Sequence, residues 1–265
     1  KVKMATFVSL ISGSSGNATF VSDGKTNLLI DCGMSGAKLK ESLHAIDVMP
    51  ESIDALLITH EHVDHTKGAG VISRRYNIPI YTTQGTHTSM DIGNIADENI
   101  KIITEDTDFE IGNIGICPFA IPHDATQPVG FNFMIGDEKY SLATDIGQIT
   151  KSILENITGS KKILLESNHD VEMLKCGTYP YPLKRRILGE YGHLSNETAS
   201  KVALHLVQNG TEHIMLGHLS KENNYEALAY ETVCSEVTLG DNPYKSKDFK
   251  IQVAKRDSIS DVVML

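Results

Sequence analysis

The stretch Leu56-Leu57-Ile58-Thr59-His60-Glu61-His62-Val63-Asp64-His65 decides how this chain folds and what it can bind. Its apolar half predicts a buried strand over Ile53 to Thr59, ending in a polar loop. Four potential metal ligands, His60, His62, Asp64 and His65, then follow within six residues. Imidazole suits Zn, Fe and similar ions, and carboxylate accepts Mn as well. His60 and His62 stand two apart in an extended loop and can point to one side. Asp64 and His65 come after the bend and can serve a second ion. A solvated loop that merely happens to be His-rich is the plain alternative, but His/Asp clusters at a strand end read as metal sites.

Outward from this segment, further candidates stand at predicted strand ends. His123 follows Ile121-Pro122, Asp145 follows Leu142-Ala143-Thr144, and His218 follows Leu216-Gly217. Taken singly, each reads equally well as a turn or cap residue. Taken together they complete two coordination shells, provided the fold brings them together.

Strand and helix patterns alternate on both sides of this segment. Thr6 to Ile11, Ala18 to Ser22 and Asn27 to Asp31 read as strands, with a hairpin signal at Asp23-Gly24. Ser35 to Ile46 has helical spacing through Leu39, Leu43 and Ile46. Lys67 to Tyr76 predicts a helix and Ile78 to Thr82 a strand. Later strands are expected at Ile100 to Thr104, Ile114 to Ile121, Phe131 to Ile135, Lys139 to Thr144, Lys161 to Glu166, Glu212 to Leu216 and Phe249 to Ala254. Helices are expected at Ile149 to Ile157, Asn196 to Gln208 with Ser195 as cap, and Glu222 to Cys234. No repeat or linker interrupts the chain, so residues 1–265 read as a single α/β domain. Two packed sheets with helices outside satisfy this pattern, and so does a doubly wound sheet.

Composition sets further bounds. The 265 residues carry 24 Lys+Arg against 34 Asp+Glu, a formal charge of −10. Hydrophobic residues make up 40% and charged residues 22%, which excludes a mainly disordered chain. The acidic balance argues against a generic nucleic-acid coat protein but leaves a metal-assisted nuclease open. No apolar run is long enough for a transmembrane helix. Lys1-Val2-Lys3-Met4 leads into a short apolar stretch, and the Gly/Ser turn after Ile11 does not read as the cleavage site of a secretory leader. Cys32, Cys117, Cys176 and Cys234 are scattered and form no CxxC pair, so a reducing cytoplasm is the expected home.

His60-Glu61-His62-Val63-Asp64-His65 matches the HxHxDH motif of the metallo-β-lactamase-fold hydrolases. Asp31, His123, Asp145 and His218 follow the order of the other family motifs, so the resemblance covers nearly the whole chain. It implies a four-layer αβ/βα sandwich (the metallo-β-lactamase fold) with a dinuclear site at one edge of the sheets. Carried over position by position, His60, His62 and His123 bind one metal. Asp64, His65 and His218 bind the other, and Asp145 bridges the two. Asp31 matches the residue that orients the loop from behind. The cofactors implied are two divalent ions per chain, Zn or Mn, with Fe also possible.

Four further segments narrow the resemblance. Ser12-Gly13-Ser14-Ser15-Gly16-Asn17, Glu166-Ser167-Asn168-His169-Asp170, Tyr179 to Ile187 and Gly192-His193-Leu194-Ser195-Asn196 resemble the YycJ/WalJ group. These are small cytosolic bacterial metallohydrolases described as 5′-to-3′ DNA exonucleases. They are similar to the tRNA 3′-processing endonucleases and to PhnP-type cyclic-phosphate phosphodiesterases. His193 matches a histidine that assists proton transfer in those relatives, and its plainer reading is a helix-entry residue. The implied reaction is in-line attack of a metal-bound hydroxide on phosphorus, oriented by Asp64 and assisted by His193.

Substrate contacts are expected from Ser14, Ser15 and Asn17, in a turn that can present hydroxyls and N–H groups to phosphate. They are also expected from Lys184, Arg185 and Arg186, a basic triplet beside Tyr179 and Tyr181. An ordinary hairpin and a solvated helix face are the respective alternatives. His169 is a further candidate behind the ligands. The leading reading is thus a DNA-cleaving phosphodiesterase. A small-molecule phosphodiesterase, a thioester or lactone hydrolase, and a non-catalytic metal-bound scaffold are the competing ones.

Overall fold

The computed structural model describes residues 6–240, 243–245 and 248–264. Lys1-Val2-Lys3-Met4 lies outside the described residues. The chain divides into two compact units: Lys1–Pro118 with Ala125–Val129 and Lys255–Leu265, and Phe119–Asp124 with Gly130–Ala254.

In chain order the first elements are β1 (Thr6–Ile11), β2 (Ala18–Ser22), β3 (Asn27–Ile30), α1 (Gly36–Ala45), β4 (Ala55–Leu57), α2 (Val63–Thr66) and α3 (Ala69–Tyr76). Then come β5 (Ile80–Thr83), α4 (Gln84–Ser89), β6 (Ile100–Ile103), β7 (Phe109–Ile111), β8 (Ile114–Ala120), β9 (Val129–Ile135), β10 (Glu138–Ala143) and α5 (Lys151–Ile157). The rest are β11 (Lys162–Glu166), α6 (Val171–Cys176), α7 (Tyr181–Ile187), α8 (Asn196–Gln208), β12 (His213–Gly217), α9 (Glu226–Leu239), β13 (Lys250–Val253) and β14 (Val263–Met264). The fold is mixed α/β, with two sheets flanked by helices. The strand orders are β14-β1-β2-β3-β4-β5-β6 and β13-β12-β11-β10-β9-β8-β7, seven strands each.

In the first sheet β3, β4, β5 and β6 run parallel, with helices in the crossovers. In the second, β10 to β13 do the same. Parallel strands point their carboxyl ends the same way, and the loops there are where such sheets carry ligands. Asp31, His60, Asp145 and His218 each lie at or just past the carboxyl end of a parallel strand, β3, β4, β10 and β12 respectively.

Each unit has its own core. In the first, Leu39 and Leu43 of α1 and Ala69 and Ile72 of α3 pack with Val8, Leu10, Leu29, Leu56 and Ile58. The Ser35 hydroxyl caps α1 by accepting from Lys38 N. In the second, Ala199, Val202, Ala203 and Leu206 of α8 meet Ile163, Leu165, Ile214 and Leu216 of the strands and Val233 and Val237 of α9. Each Val, Leu or Ile side chain among them contributes about 1.5–3 kcal/mol when removed from water. Ser195 caps α8 as expected, its hydroxyl accepting from Thr198 N.

Two helices depart from the sequence expectation. The helix expected from Lys67 is preceded by the single turn α2 and interrupted at Gly68. A Cβ on Gly68 would lie 2.2 Å from Met34 O and 2.7 Å from Cys32 Sγ, so the chain breaks there to pass. The helix expected from Glu222 starts instead at Glu226. Asn223 and Asn224 are held outside it, Asn224 by amide bonds to the Ser167 and Asn168 carbonyls at 2.9 and 3.1 Å. Among the described residues no helix is long and apolar enough to cross a membrane.

Candidate metal centre

The first unit gathers a group of candidate ligands on the loop after β4. Asp31 sits just past β3 in the left-handed region, φ 58°. That conformation is uncommon outside Gly, though Asp and Asn tolerate it best. It turns the carboxylate back onto β4. There Oδ1 accepts from Thr59 N at 2.9 Å, and Oδ2 accepts from the Thr59 hydroxyl at 2.9 Å and from His65 Nδ1 at 2.8 Å. The Thr59 hydroxyl lies 3.0 Å from His60 Nδ1. Since that hydroxyl donates to Asp31, it accepts from His60. Both imidazoles therefore carry their proton on Nδ1, which leaves the Nε2 lone pairs of His60 and His65 directed away. His60 and His65 are fully buried.

His60 Nε2 and His62 Nδ1 stand 3.0 Å apart. Two nitrogens ~2.05 Å from one tetrahedral ion lie ~3.3 Å from each other, so this pair fits a metal with little movement. On the other side of the loop, His65 Nε2 is 3.5 Å from Asp64 Oδ2. Turn α2 is what places these two side by side. Asn17 ties that corner together: its Nδ2 lies 3.3 Å from Asp64 Oδ2 and 3.0 Å from His65 Nε2. Its Oδ1 accepts from Gly13 N, closing the Ser14-Ser15 turn. Ser14 and Ser15 are exposed at the tip, whereas Asn17 is buried.

The second unit gathers candidate ligands of its own around Glu166, the last residue of β11 and fully buried. One oxygen, Oε1, accepts from His193 Nδ1 and from His218 Nδ1, both at 2.8 Å. The other, Oε2, accepts from the backbone N–H groups of Ile146 at 2.8 Å and Leu194 at 3.0 Å. Burial by itself would raise the carboxyl pKa. The charges and hydrogen bonds of His193 and His218 outweigh it and hold the group well below its ordinary range. Glu166 thus fixes His218 with its Nε2 toward Asp145 Oδ1, 3.4 Å away.

Asp145 and His218 are both left-handed, φ 60° and 57°. Outliers of this kind persist where the surroundings over-determine them, here at strand ends that carry ligand candidates. His123 Nε2 lies 3.8 Å from the same Asp145 oxygen. Its Nδ1 faces the Gly192 carbonyl at 3.2 Å, which sets the tautomer. Burial pushes the His123 pKa down, against the opposing pull of Asp145, which favours the neutral ring over the charged one. Asp145, Glu166, His193 and His218 each offer an atom within 4.8 Å of the others.

Glu166 stands in a motif of the group resemblance, which implies no role for it. The available signal was a carboxylate closing an otherwise apolar strand, Lys162-Ile163-Leu164-Leu165-Glu166. Of the basic triplet on α7, Lys184 Nζ donates to the carbonyls of Lys175 and Gly177, each at 2.7 Å. Arg186 pairs with Asp124, beside His123. Arg185 is exposed. His169 is buried, and burial takes its pKa down to about 4.

A family model described as a beta-lactamase superfamily domain matches residues 26–218. The chain is 38% identical over 253 residues to the exodeoxyribonuclease WalJ of Streptococcus pneumoniae serotype 2 (strain D39 / NCTC 7466), covering 94% of each chain. It is 37% identical over 229 residues to the exodeoxyribonuclease YycJ of Bacillus anthracis, covering 86% of this chain and 87% of that one. Zn(2+)-bound PqqB of Methylobacterium extorquens has the same fold, with a TM-score of 0.69 at 17% identity over 97% of this chain and all of the other. With its HxHxDH loop and its strand-end His and Asp residues in family order, the chain belongs to the beta-lactamase superfamily and, within it, to the family of the WalJ and YycJ proteins.

Proposed function

We propose that this protein is a metal-dependent exodeoxyribonuclease that removes nucleotides from a 5′ end of DNA. The observation that carries the reading is the 38% identity to an exodeoxyribonuclease across 94% of both chains. The ligand residues that the motif resemblance implies are all present in the sequence. The polarity follows the group resemblance in the motifs quoted above.

In this reading His60, His62 and His123 hold one divalent ion, and Asp64, His65 and His218 a second, with Asp145 shared. Zn and Mn both suit this donor set, and Fe is a further candidate. Bound there, two such ions supply an acidified water and positive charge against the phosphoryl oxygens. The chain's own residues do the positioning. Asp31 and Glu166 keep His65 and His218 in the tautomer that turns Nε2 outward. Asn17 holds Asp64 in place to orient the attacking water. His193, anchored at Nδ1 by Glu166, has Nε2 left to pass a proton to the departing oxygen. Ser14 and Ser15, exposed at the tip of their turn, supply hydroxyls to the substrate.

A cytoplasmic home suits the cysteines. Among the described residues, which include all four, none forms a disulfide, and burial pushes the Cys32 thiol up to about 12.

The test is digestion of 5′-labelled single-stranded and duplex DNA with Mn or Zn, beside an Asp64→Ala control. Stepwise loss of nucleotides from the 5′ end, absent in the control, supports the reading. Intact DNA together with turnover of bis-p-nitrophenyl phosphate replaces it with a small-molecule phosphodiesterase, the reading that the charge of −10 favours.

A further inference from the structure

The end of helix α7 is tied to the segment that carries His193. His193 N donates to the Ile187 carbonyl at 3.0 Å. A Cβ on Gly192 would lie 2.4 Å from Arg186 O, so the two backbones are in contact. The Gly192 carbonyl in turn faces His123 Nδ1 at 3.2 Å. Arg186 is thereby brought to the loop that carries His123, and its side chain turns to that loop. Lys184 of the same triplet turns instead to the carbonyls of Lys175 and Gly177.

The Arg186 guanidinium pairs through Nε with Asp124 Oδ2. The other oxygen of that carboxylate, Oδ1, lies 3.4 Å from His123 Nε2. Nε2 is the ring nitrogen left for a metal, because Nδ1 is turned to the Gly192 carbonyl. A carboxylate oxygen and a ring lone pair repel each other, so Asp124 is not placed there to hold His123. Among the described residues it joins none of the groups whose atoms lie close enough to share an ion. It does hold Arg186, and its own backbone is fixed by a bond from Asp124 N to the Tyr191 carbonyl at 3.1 Å.

The Arg186 and Asp124 side chains are 54% and 30% exposed, and an ion pair this open adds little to stability. A guanidinium carries five N–H donors, more than one carboxylate accepts, and its planar fork matches a phosphate. Asp124 thus sets a phosphate-binding group one carboxylate away from the nitrogen that would bind an ion.

We propose that Arg186, aimed by Asp124, holds the phosphate next to the one being cleaved. The proposal rests on the exonuclease reading for its substrate, a chain of phosphates. Arg186 touches that neighbouring phosphate, and Asp124 is a positioning residue. The phosphate under attack stays against the ions, one carboxylate away.

The test begins with fluorescence anisotropy on the metal-loaded protein and a phosphorothioate oligonucleotide. Arg186→Ala is expected to weaken binding about tenfold or more, the effect of losing a hydrogen bond to a charged group. It is also expected to lower the slope of log affinity against log salt by about 0.7 to 0.9. Arg186→Lys keeps the charge and loses the fork, so its slope is expected to match wild type while its affinity falls. Asp124→Asn is expected to bind its full complement of metal and to weaken the oligonucleotide less than Arg186→Ala does. Turnover of DNA is then compared with that of bis-p-nitrophenyl phosphate, which has no second phosphate. In Arg186→Ala the loss in kcat/KM on DNA is expected to exceed that on the ester by about tenfold. Unchanged oligonucleotide affinity in Arg186→Ala, or equal losses on DNA and on the ester, overturns the contact. Loss of metal from Asp124→Asn overturns the positioning role. DNA bound through Arg186 but not cleaved keeps the contact and removes the exonuclease reading. DNA cleaved by the wild type, with Arg186→Ala binding just as tightly, does the reverse.

Discussion

Glu166 grips His218 from behind, its Oε1 2.8 Å from His218 Nδ1. The geometry makes this carboxylate hard to replace. Its Oε2 already accepts from two backbone N–H groups, so in Glu166→Gln the amide oxygen must take that side. The amide NH₂ then faces His218 and His193. Both rings have to move their proton to Nε2 to accept from it, and His218 loses the lone pair a metal needs. Metal affinity is expected to fall about 10- to 100-fold in a competition titration against a chromogenic chelator, the usual effect of losing such a partner. Unchanged affinity would mean that Glu166 does not set the His218 tautomer.

Asp31 allows a cleaner form of the same experiment. Its left-handed backbone, φ 58°, is also open to Asn. Asp31→Asn therefore keeps the turn and changes only what faces His65 Nδ1 and Thr59. Affinity for metal is expected to drop by about tenfold or more while thermal stability of the metal-free protein falls by less than ~2 kcal/mol. Asp31→Ala is expected to lose both, because the turn and three hydrogen bonds go together. Calorimetry of the metal-free proteins with a parallel metal titration checks the pair. Equal stability losses in the two variants would show that the carboxylate, not the backbone, carries the fold there.

These residues also show what a sequence reveals and what it hides. His60, His62, Asp64 and His65 are adjacent in the chain, so their clustering needs no fold to be seen. The sheet strands were legible because burial of both faces demands unbroken apolar runs. Glu166 was hidden, since its partners His193 and His218 lie 27 and 52 residues away and meet it only through the sheet. Asn17 reads as a substrate contact in the same turn as Ser14 and Ser15. Folded, the turn closes and directs the amide to Gly13, Asp64 and His65. Helices α6 and α7, of six and seven residues, are too short for a 3.6-residue period to emerge.

Gly33 tests how tightly the β4 loop is held. A Cβ there would sit 1.6 Å from Asp64 O and 2.6 Å from Asn17 N. Both atoms are backbone, and Asn17 N already donates to Asp64 O at 2.8 Å. Gly33→Ala must therefore push Asp64 away from Asn17. We expect a loss above about 3 kcal/mol in urea denaturation, with weakened metal binding in whatever remains folded. Gly136→Ala is the comparison: it is left-handed, φ 60°, with nothing near its Cβ, and is expected to cost about 1–2 kcal/mol. Similar losses in the two variants would rule out close packing as the reason for Gly33.

His213 gives a pH signature far along β12 from the candidate ligands. It is buried, and its register partners on either side are Lys162 and Lys250. Burial first, and then those two charges, push its pKa down from 6.5 to about 4. Between those values the unfolded chain binds the proton and the folded one does not. Stability supplied by the neutral ring is therefore complete above about pH 6.5 and is lost as the pH falls toward 4. From pH 7 to pH 5 this amounts to roughly 1–2 kcal/mol. His213→Gln removes the titrating ring, so urea midpoints of the variant are expected to fall less over that range than those of the wild type. Measuring both proteins at the same pH values cancels every other titrating group they share, and parallel profiles would place the His213 pKa near its ordinary value.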